Sequence, residues 1–124
     1  MSIVYSYEDL SVWKKSMNLA EKIYELTKFM PKEEVYGLTA QMRRAAVSIP
    51  SNIAEGQQRA STKEFLRFLS IARGSNAELQ TQLVLACRLG YFQSEQIRET
   101  MNLTKEVSKM INALMISLNK RPYI

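Results

Sequence analysis

The sequence predicts an all-α protein, an up-down-up-down antiparallel four-helix bundle, and three observations carry that expectation. Apolar residues recur at steps of three and four through nearly the whole chain. Four Gly and three Pro are too few to punctuate the many short strands of a β-sandwich or barrel. A length of 124 residues, 46% apolar and 23% charged, suits a single domain over residues 1–124 with its own core.

The first helix is expected over about Tyr7 to Phe29. Trp13, Met17, Ala20 and Tyr24 form its apolar stripe, which Val12, Leu19, Ile23 and Leu26 broaden. Ser6, three residues before Asp9, is a loose cap, and Met30-Pro31 ends the helix because a residue before Pro is pushed out of the α region. The second is expected over about Glu33 to Glu55, on Val35, Leu38, Met42, Ala46, Ile49 and Ile53, with Gly56 just past its end. Pro50 falls inside it. The apolar period passes through Pro50 without losing phase, so the expectation is a kinked helix and not a broken one.

Ser61-Thr-Lys-Glu64 has the spacing of a capping box and opens a third helix. Phe65, Phe68, Leu69, Ala72, Leu79, Leu83 and Ala86 carry its period to Gly90, a second candidate C-terminal glycine. Ser94 opens the last helix, where Ile97, Thr104, Ile111 and Leu118 recur in sevens before Arg121-Pro122 closes it. Connections of about four to six residues make an antiparallel bundle the simplest packing.

The composition narrows the chemistry. Without His there is no Ser-His-Asp or Cys-His pair, no Glu-x-x-His di-metal site and no His-ligated zinc or haem, so no cofactor, metal or catalytic residue is expected. One Cys gives no internal disulfide framework, and Cys87 beside the core reads as an inert thiol. The N-terminal residues lack the pattern of a signal peptide, and no run approaches the roughly 20 apolar residues of a membrane span. A soluble cytoplasmic protein without a membrane partner is expected.

Charge is unevenly placed. The net charge of +5 is concentrated in residues 35–92, where seven basic residues face three acids. Six of the seven are Arg, the side chain suited to bidentate phosphate contacts: Arg43, Arg44, Arg59, Arg67, Arg73 and Arg88, with Lys63 the seventh. On a wheel of about 100° per residue with Lys63 at zero, Arg67, Arg88 and Arg73 lie within roughly 80° of it, opposite the core positions. Such a stripe is either a solvated face or the footprint of a polyanion. Leu66, Val84 and Leu85 lie among these cations on the outward side, and three apolar residues there suggest a subunit interface.

Two runs carry a resemblance: GLTAQMRRAAVSIPSNIAEG from Gly37 to Gly56, and FLRFLSIARGSNAEL from Phe65 to Leu79. With Leu10-Ser-Val-Trp13 and Pro31-Lys-Glu-Glu34, they make the chain resemble, over nearly its whole length, the four-helix-bundle proteins encoded in intervening sequences of bacterial 23S ribosomal RNA genes, also called S23 ribosomal proteins. The resemblance implies an antiparallel four-helix bundle and a homo-oligomer, most simply a pentamer. It implies no enzymatic activity. A related protein, the accessory variability determinant of diversity-generating retroelements, is a basic pentamer that binds nucleic acid and a reverse transcriptase.

Two polar clusters interrupt the apolar helices: Asn52, Glu55, Gly56 and Arg59 in the second, Arg73, Ser75, Asn76 and Glu78 in the third. They read as a hydrogen-bonded network between those helices, with Glu55 or Glu78 pairing an Arg and Gly74 or Ser75 permitting close approach, or as a recognition patch for RNA or protein. Trp13, Tyr24 and Tyr36 are able to stack bases, although Trp13 and Tyr24 share the apolar face of the first helix. Two functions are therefore expected to compete. One is an oligomer that binds RNA or DNA backbones; the other is a protein-interaction scaffold or accessory subunit for a nucleic-acid enzyme such as a reverse transcriptase.

Overall fold

The structure, a computed structural model, describes residues 6–121. Among them are four α-helices, α1 (Ser11–Thr27), α2 (Leu38–Gln58), α3 (Thr62–Arg88) and α4 (Ser94–Lys120), with short 3-10 turns at Tyr7–Asp9 and Lys32–Glu34. Each helix packs on two neighbours in cyclic order, with α2 against α3 the most extensive pairing. Side-chain contacts show the antiparallel register. Lys15 of α1 meets Glu106 of α4 at 3.1 Å, and Lys22, seven residues on, meets Glu99, seven residues back, also at 3.1 Å.

The core runs the length of the bundle. Leu19, Ile23, Met42, Ile49, Ile53, Leu69, Leu79, Leu83, Val107 and Ile111 are fully buried in it. The sevens of α4 point inward as expected, with Ile97, Thr104, Ile111 and Leu118 all buried. Helix α1 is rotated from its expected stripe. Its buried line is Val12, Ser16, Leu19, Ile23 and Thr27, whereas Met17 and Tyr24 are exposed and Trp13 is half-buried. Two hydroxyls explain the misreading: Thr27 enters the core because its Oγ1 donates to the Ile23 carbonyl at 2.7 Å, and Ser16 is small enough to be buried.

Helix boundaries differ where local capping overrides the apolar period. The Ser6–Asp9 capping box closes the 3-10 turn, and α1 starts after it at Ser11. Val35, counted into α2, lies outside it and is exposed, so the α1–α2 connection spans residues 28–37 and is longer than expected. At the start of α3, Ser61 Oγ accepts from the Glu64 amide at 3.2 Å, which is one half of the expected capping box; the Glu64 carboxylate turns to Arg67 and does not complete it. The left-handed Gly90, at φ +83°, closes α3: its amide donates to the Cys87 carbonyl and the Tyr91 amide to that of Ala86, satisfying two last-turn acceptors. Gln93, not Ser94, caps α4, with its amide donating to Gln96 Oε1 at 2.7 Å. Pro122, expected to end α4, lies outside the described residues.

Helix α2 runs unbroken through Pro50 and on past Gly56. Gly56 is thus no cap. A Cβ there would sit 2.7 Å from Phe68 Cβ and 3.1 Å from Phe65 Cδ1, so its lack of a side chain lets α2 and α3 close together near their turn.

Glu34 ties the start of α2 to the α3–α4 turn. Its carboxylate accepts from the Leu38 amide at 3.0 Å and the Tyr91 hydroxyl at 2.7 Å. The amide first, then the hydroxyl, favour the ionised form and hold the Glu34 pKa below the ordinary carboxylate value. The same contact raises that of the Tyr91 hydroxyl. A depressed folded pKa gives stability that is present above the unfolded value of 4.5 and lost as pH falls through the folded one. Glu34→Gln should therefore flatten the decline of the urea midpoint below pH 4.5 relative to wild type; parallel declines would refute this role.

Candidate nucleic-acid interface

The seven predicted cations do not form one free stripe. Arg67 Nε and Nη2 donate to the Glu64 carboxylate at 3.1 and 3.2 Å, and Arg59 Nη2 donates to Glu55 at 3.0 Å. Both guanidinia lie over the Phe68 ring, at 4.6 and 5.0 Å from its centroid. The pairing, led by the hydrogen bond, pulls the Glu64 pKa down and pushes that of Arg67 up. These two Arg close the α2–α3 turn within one chain. Arg43 is half-buried against Thr27 and Tyr24. Arg73 donates to Asn112 Oδ1 of α4 at 3.0 Å, a neutral partner that leaves its charge uncompensated. Arg44, Lys63 and Arg88 are exposed, with no hydrogen bond or ion pair to another described residue.

A second group of cations completes the surface. Asn112 meets Arg73, which fixes the flank of α4 that borders α3. On a wheel of about 100° per residue, Arg98, Lys105 and Lys109 lie within roughly 60° of Asn112, on that same flank. All three are exposed. The α4 acids one residue further on, Glu99 and Glu106, turn to the opposite flank and are neutralised there by Lys22 and Lys15 of α1. The alternation Arg98-Glu99 and Lys105-Glu106, repeated every seven residues, was present in the sequence as a signal of this sorting.

The polar clusters separate as well. Ser48 Oγ lies 2.8 Å from Ser75 Oγ, and Asn52 Nδ2 donates to the Ser48 carbonyl at 2.7 Å and to its hydroxyl at 2.9 Å, linking α2 to α3. Asn76 belongs to the other side of α3, where its Nδ2 donates to the Thr104 carbonyl at 2.7 Å. Glu55 is used by Arg59, and Glu78 is exposed. Gly74 has no neighbour within 4 Å of where its Cβ would be, so it does not serve the close approach expected of it.

Leu66 is half-buried against the core, while Val84 and Leu85 are exposed. They border a shallow depression of about 350 Å3 with Gln80, Thr81 and Arg88. Ile71 is also exposed, and small exposed residues Ser70, Gly74 and Ala77 lie along the same outward face.

Among the described residues, no helix is long and apolar enough to cross a membrane, and no three His, Cys, Asp or Glu converge as metal ligands. No curated protein matches the chain. A solved structure does, that of a protein of unknown function from the S23 ribosomal protein family of Bacteroides thetaiotaomicron VPI-5482. It is 30% identical, with 84% of this chain and 97% of that chain covered and a TM-score of 0.78. The family model described as 23S rRNA-intervening sequence protein matches residues 8–113. With the fold shared and the family model matched over most of its length, the chain belongs to the 23S rRNA-intervening sequence protein family.

Proposed function

We propose that the protein is a non-enzymatic homo-oligomer that holds the phosphate backbone of RNA or DNA on the flank between α3 and α4. The observation that supports this reading is the sorting of charge along α4: two of its three acids, Glu99 and Glu106, are neutralised by α1, while Arg98, Lys105 and Lys109 lie on the flank of Asn112, the partner of Arg73, with no ion pair among the described residues. Phosphates are bound by such rows of cations without base readout, so little sequence preference is expected. Self-assembly uses the midline of α3, where Val84, Leu85 and Ile71 edge the small residues Ser70, Gly74 and Ala77. A ring, most simply of five, repeats the +5 of each chain and strengthens the field on a polyanion. Separate faces for assembly and nucleic acid let both functions coexist on neighbouring helices.

The combined variant Arg98→Gln, Lys105→Gln and Lys109→Gln should weaken binding to all sequences by roughly 10- to 100-fold. It should also flatten the log-log salt dependence by about 2 units on single strands and roughly 3 on duplex, since each of three lost phosphate contacts removes about 0.7 or 0.9. The mass by light scattering should stay that of the wild-type oligomer. Absence of binding by an intact wild-type oligomer at about 50 mM salt overturns the reading in favour of a protein scaffold. A wild-type mass of one chain, 14.3 kDa, at micromolar concentration overturns the assembly.

A further inference from the structure

Arg43 is held in place by neutral groups. Its Nε donates to Thr27 Oγ1 at 2.8 Å, Thr27 donates to the Ile23 carbonyl at 2.7 Å, and the guanidinium lies over the Tyr24 ring at 4.6 Å from the centroid. No carboxylate pairs with it among the described residues. An arginine fixed through Nε keeps its two terminal nitrogens for a bidentate contact with an oxyanion.

Arg43 lines a groove of about 420 Å3 between the end of α1 and the start of α2, together with Lys28, Lys32 and Thr39, and with no carboxylate. Thr39 is only 5% exposed, and its hydroxyl has no hydrogen-bond partner. A buried hydroxyl left unpaired disfavours the fold unless something else satisfies it. Thr39 also stands in the first turn of α2, after Gly37, which supplies no side-chain cap. The opposing end of α1 does not present bare carbonyls: the amides of Lys28, Phe29 and Met30 cover those of Glu25, Leu26 and Thr27.

Charge and size define the ligand. Three cations are offset less by the single charge of a backbone phosphodiester than by a phosphate monoester, which carries about −1.5 to −2 at pH 7. The volume falls within the roughly 300 to 1,000 Å3 of small-ligand sites, more than a bare ion requires. Tyr36, adjacent in the chain to Val35 of the groove wall, is 95% exposed and offers an aromatic face to a base.

We propose that this groove binds the phosphate monoester at the end of a nucleic-acid strand. Arg43 contacts it bidentately, Lys28 and Lys32 flank it, and Thr39, turned to its other helical χ1 well, donates its hydroxyl. The choice of a strand rests on the function proposed above; a free mononucleotide carries the same group.

Fluorescence anisotropy with short oligothymidines tests this on the whole chain. Wild type should bind the terminally phosphorylated strand about tenfold more tightly than the hydroxyl-ended one. Thr39→Val and the pair Lys28→Gln with Lys32→Gln should abolish that difference without lowering the melting temperature, since neither removes a hydrogen bond or ion pair seen in the fold, and Val relieves the unpaired hydroxyl. The Arg98, Lys105 and Lys109 variant should weaken both strands and keep the difference. Displacement of the phosphorylated strand by a thymidine monophosphate of equal affinity assigns the groove to free nucleotides and supports it. Equal binding of the two strands by folded wild type, or a preference that survives in every groove variant, overturns it. Should no strand bind, thymidine monophosphate shifting the amide resonances of Thr39 and Arg43 would sustain the groove while the proposed function fails; no shift would end both.

Discussion

Gly56→Val lowers stability by about 2 to 3 kcal/mol and the melting temperature by on the order of 10 °C. The reason lies in the approach of two helices. The first added carbon already falls 2.7 Å from Phe68 Cβ and 3.1 Å from Phe65 Cδ1, and Val adds two methyl groups to it. Phe68 cannot swing away freely, because it is itself buried and its ring lies against the guanidinia of Arg59 and Arg67, which are held by Glu55 and Glu64. Replacing Gly inside a helix gains only about 0.5 kcal/mol of propensity, which is too little to offset the overlap. Gly56→Ala should lie between the two, as its propensity gain of about 1 kcal/mol opposes a smaller clash. Phe68→Ala in the Gly56→Val background should restore part of the loss, whereas alone it costs about 3 kcal/mol or more through the cavity it leaves. A Gly56→Val protein that melts with wild type would show that the helices can separate there at no cost.

The bundle was legible because its core is written at helical spacing, and the strongest periods, Ile97 to Leu118 and Phe65 to Ala86, are buried as read. Local chemistry was less legible. Gly56 looked like a helix end because Gly serves both as a cap and as a point of close approach, and only the position of Phe68 distinguishes them. Tyr24 looked like core because an aromatic at the right spacing is counted as apolar, yet it is 42% exposed and lies under Arg43. For the basic surface, a wheel of one helix gives directions but not partners. It placed Arg67 outward correctly and had no means of showing that Glu64, three residues away, would engage it. It also said nothing of α4, whose cations matter only once the flank facing α3 is known.

Asn76→Asp is expected to be the most damaging single-atom-scale change, and its effect depends on pH. Asn76 is 1% exposed, and its Nδ2 donates to the Thr104 carbonyl at 2.7 Å from within the α3–α4 contact. A protonated Asp can donate to that carbonyl in the same way. An ionised one sets two oxygens with like partial charge against each other and buries an anion with no ion-pair partner, since Arg73 turns outward to Asn112. Burial therefore raises the folded pKa of the new carboxyl above the unfolded value of about 3.9. Below about pH 3.9 both states are protonated and the variant stays near wild type. As pH rises the unfolded chain releases its proton first, so stability falls until the folded carboxyl also ionises, and the loss at pH 7 should reach about 3 to 5 kcal/mol. Asn76→Ala, which loses the hydrogen bond but gains no charge, should differ from wild type by an amount independent of pH. Urea unfolding of the three proteins from pH 3.5 to 7.5 separates these cases. A difference between Asn76→Asp and wild type that stays constant over that range would mean that water reaches residue 76, and that the α3–α4 contact is looser than the buried amide indicates.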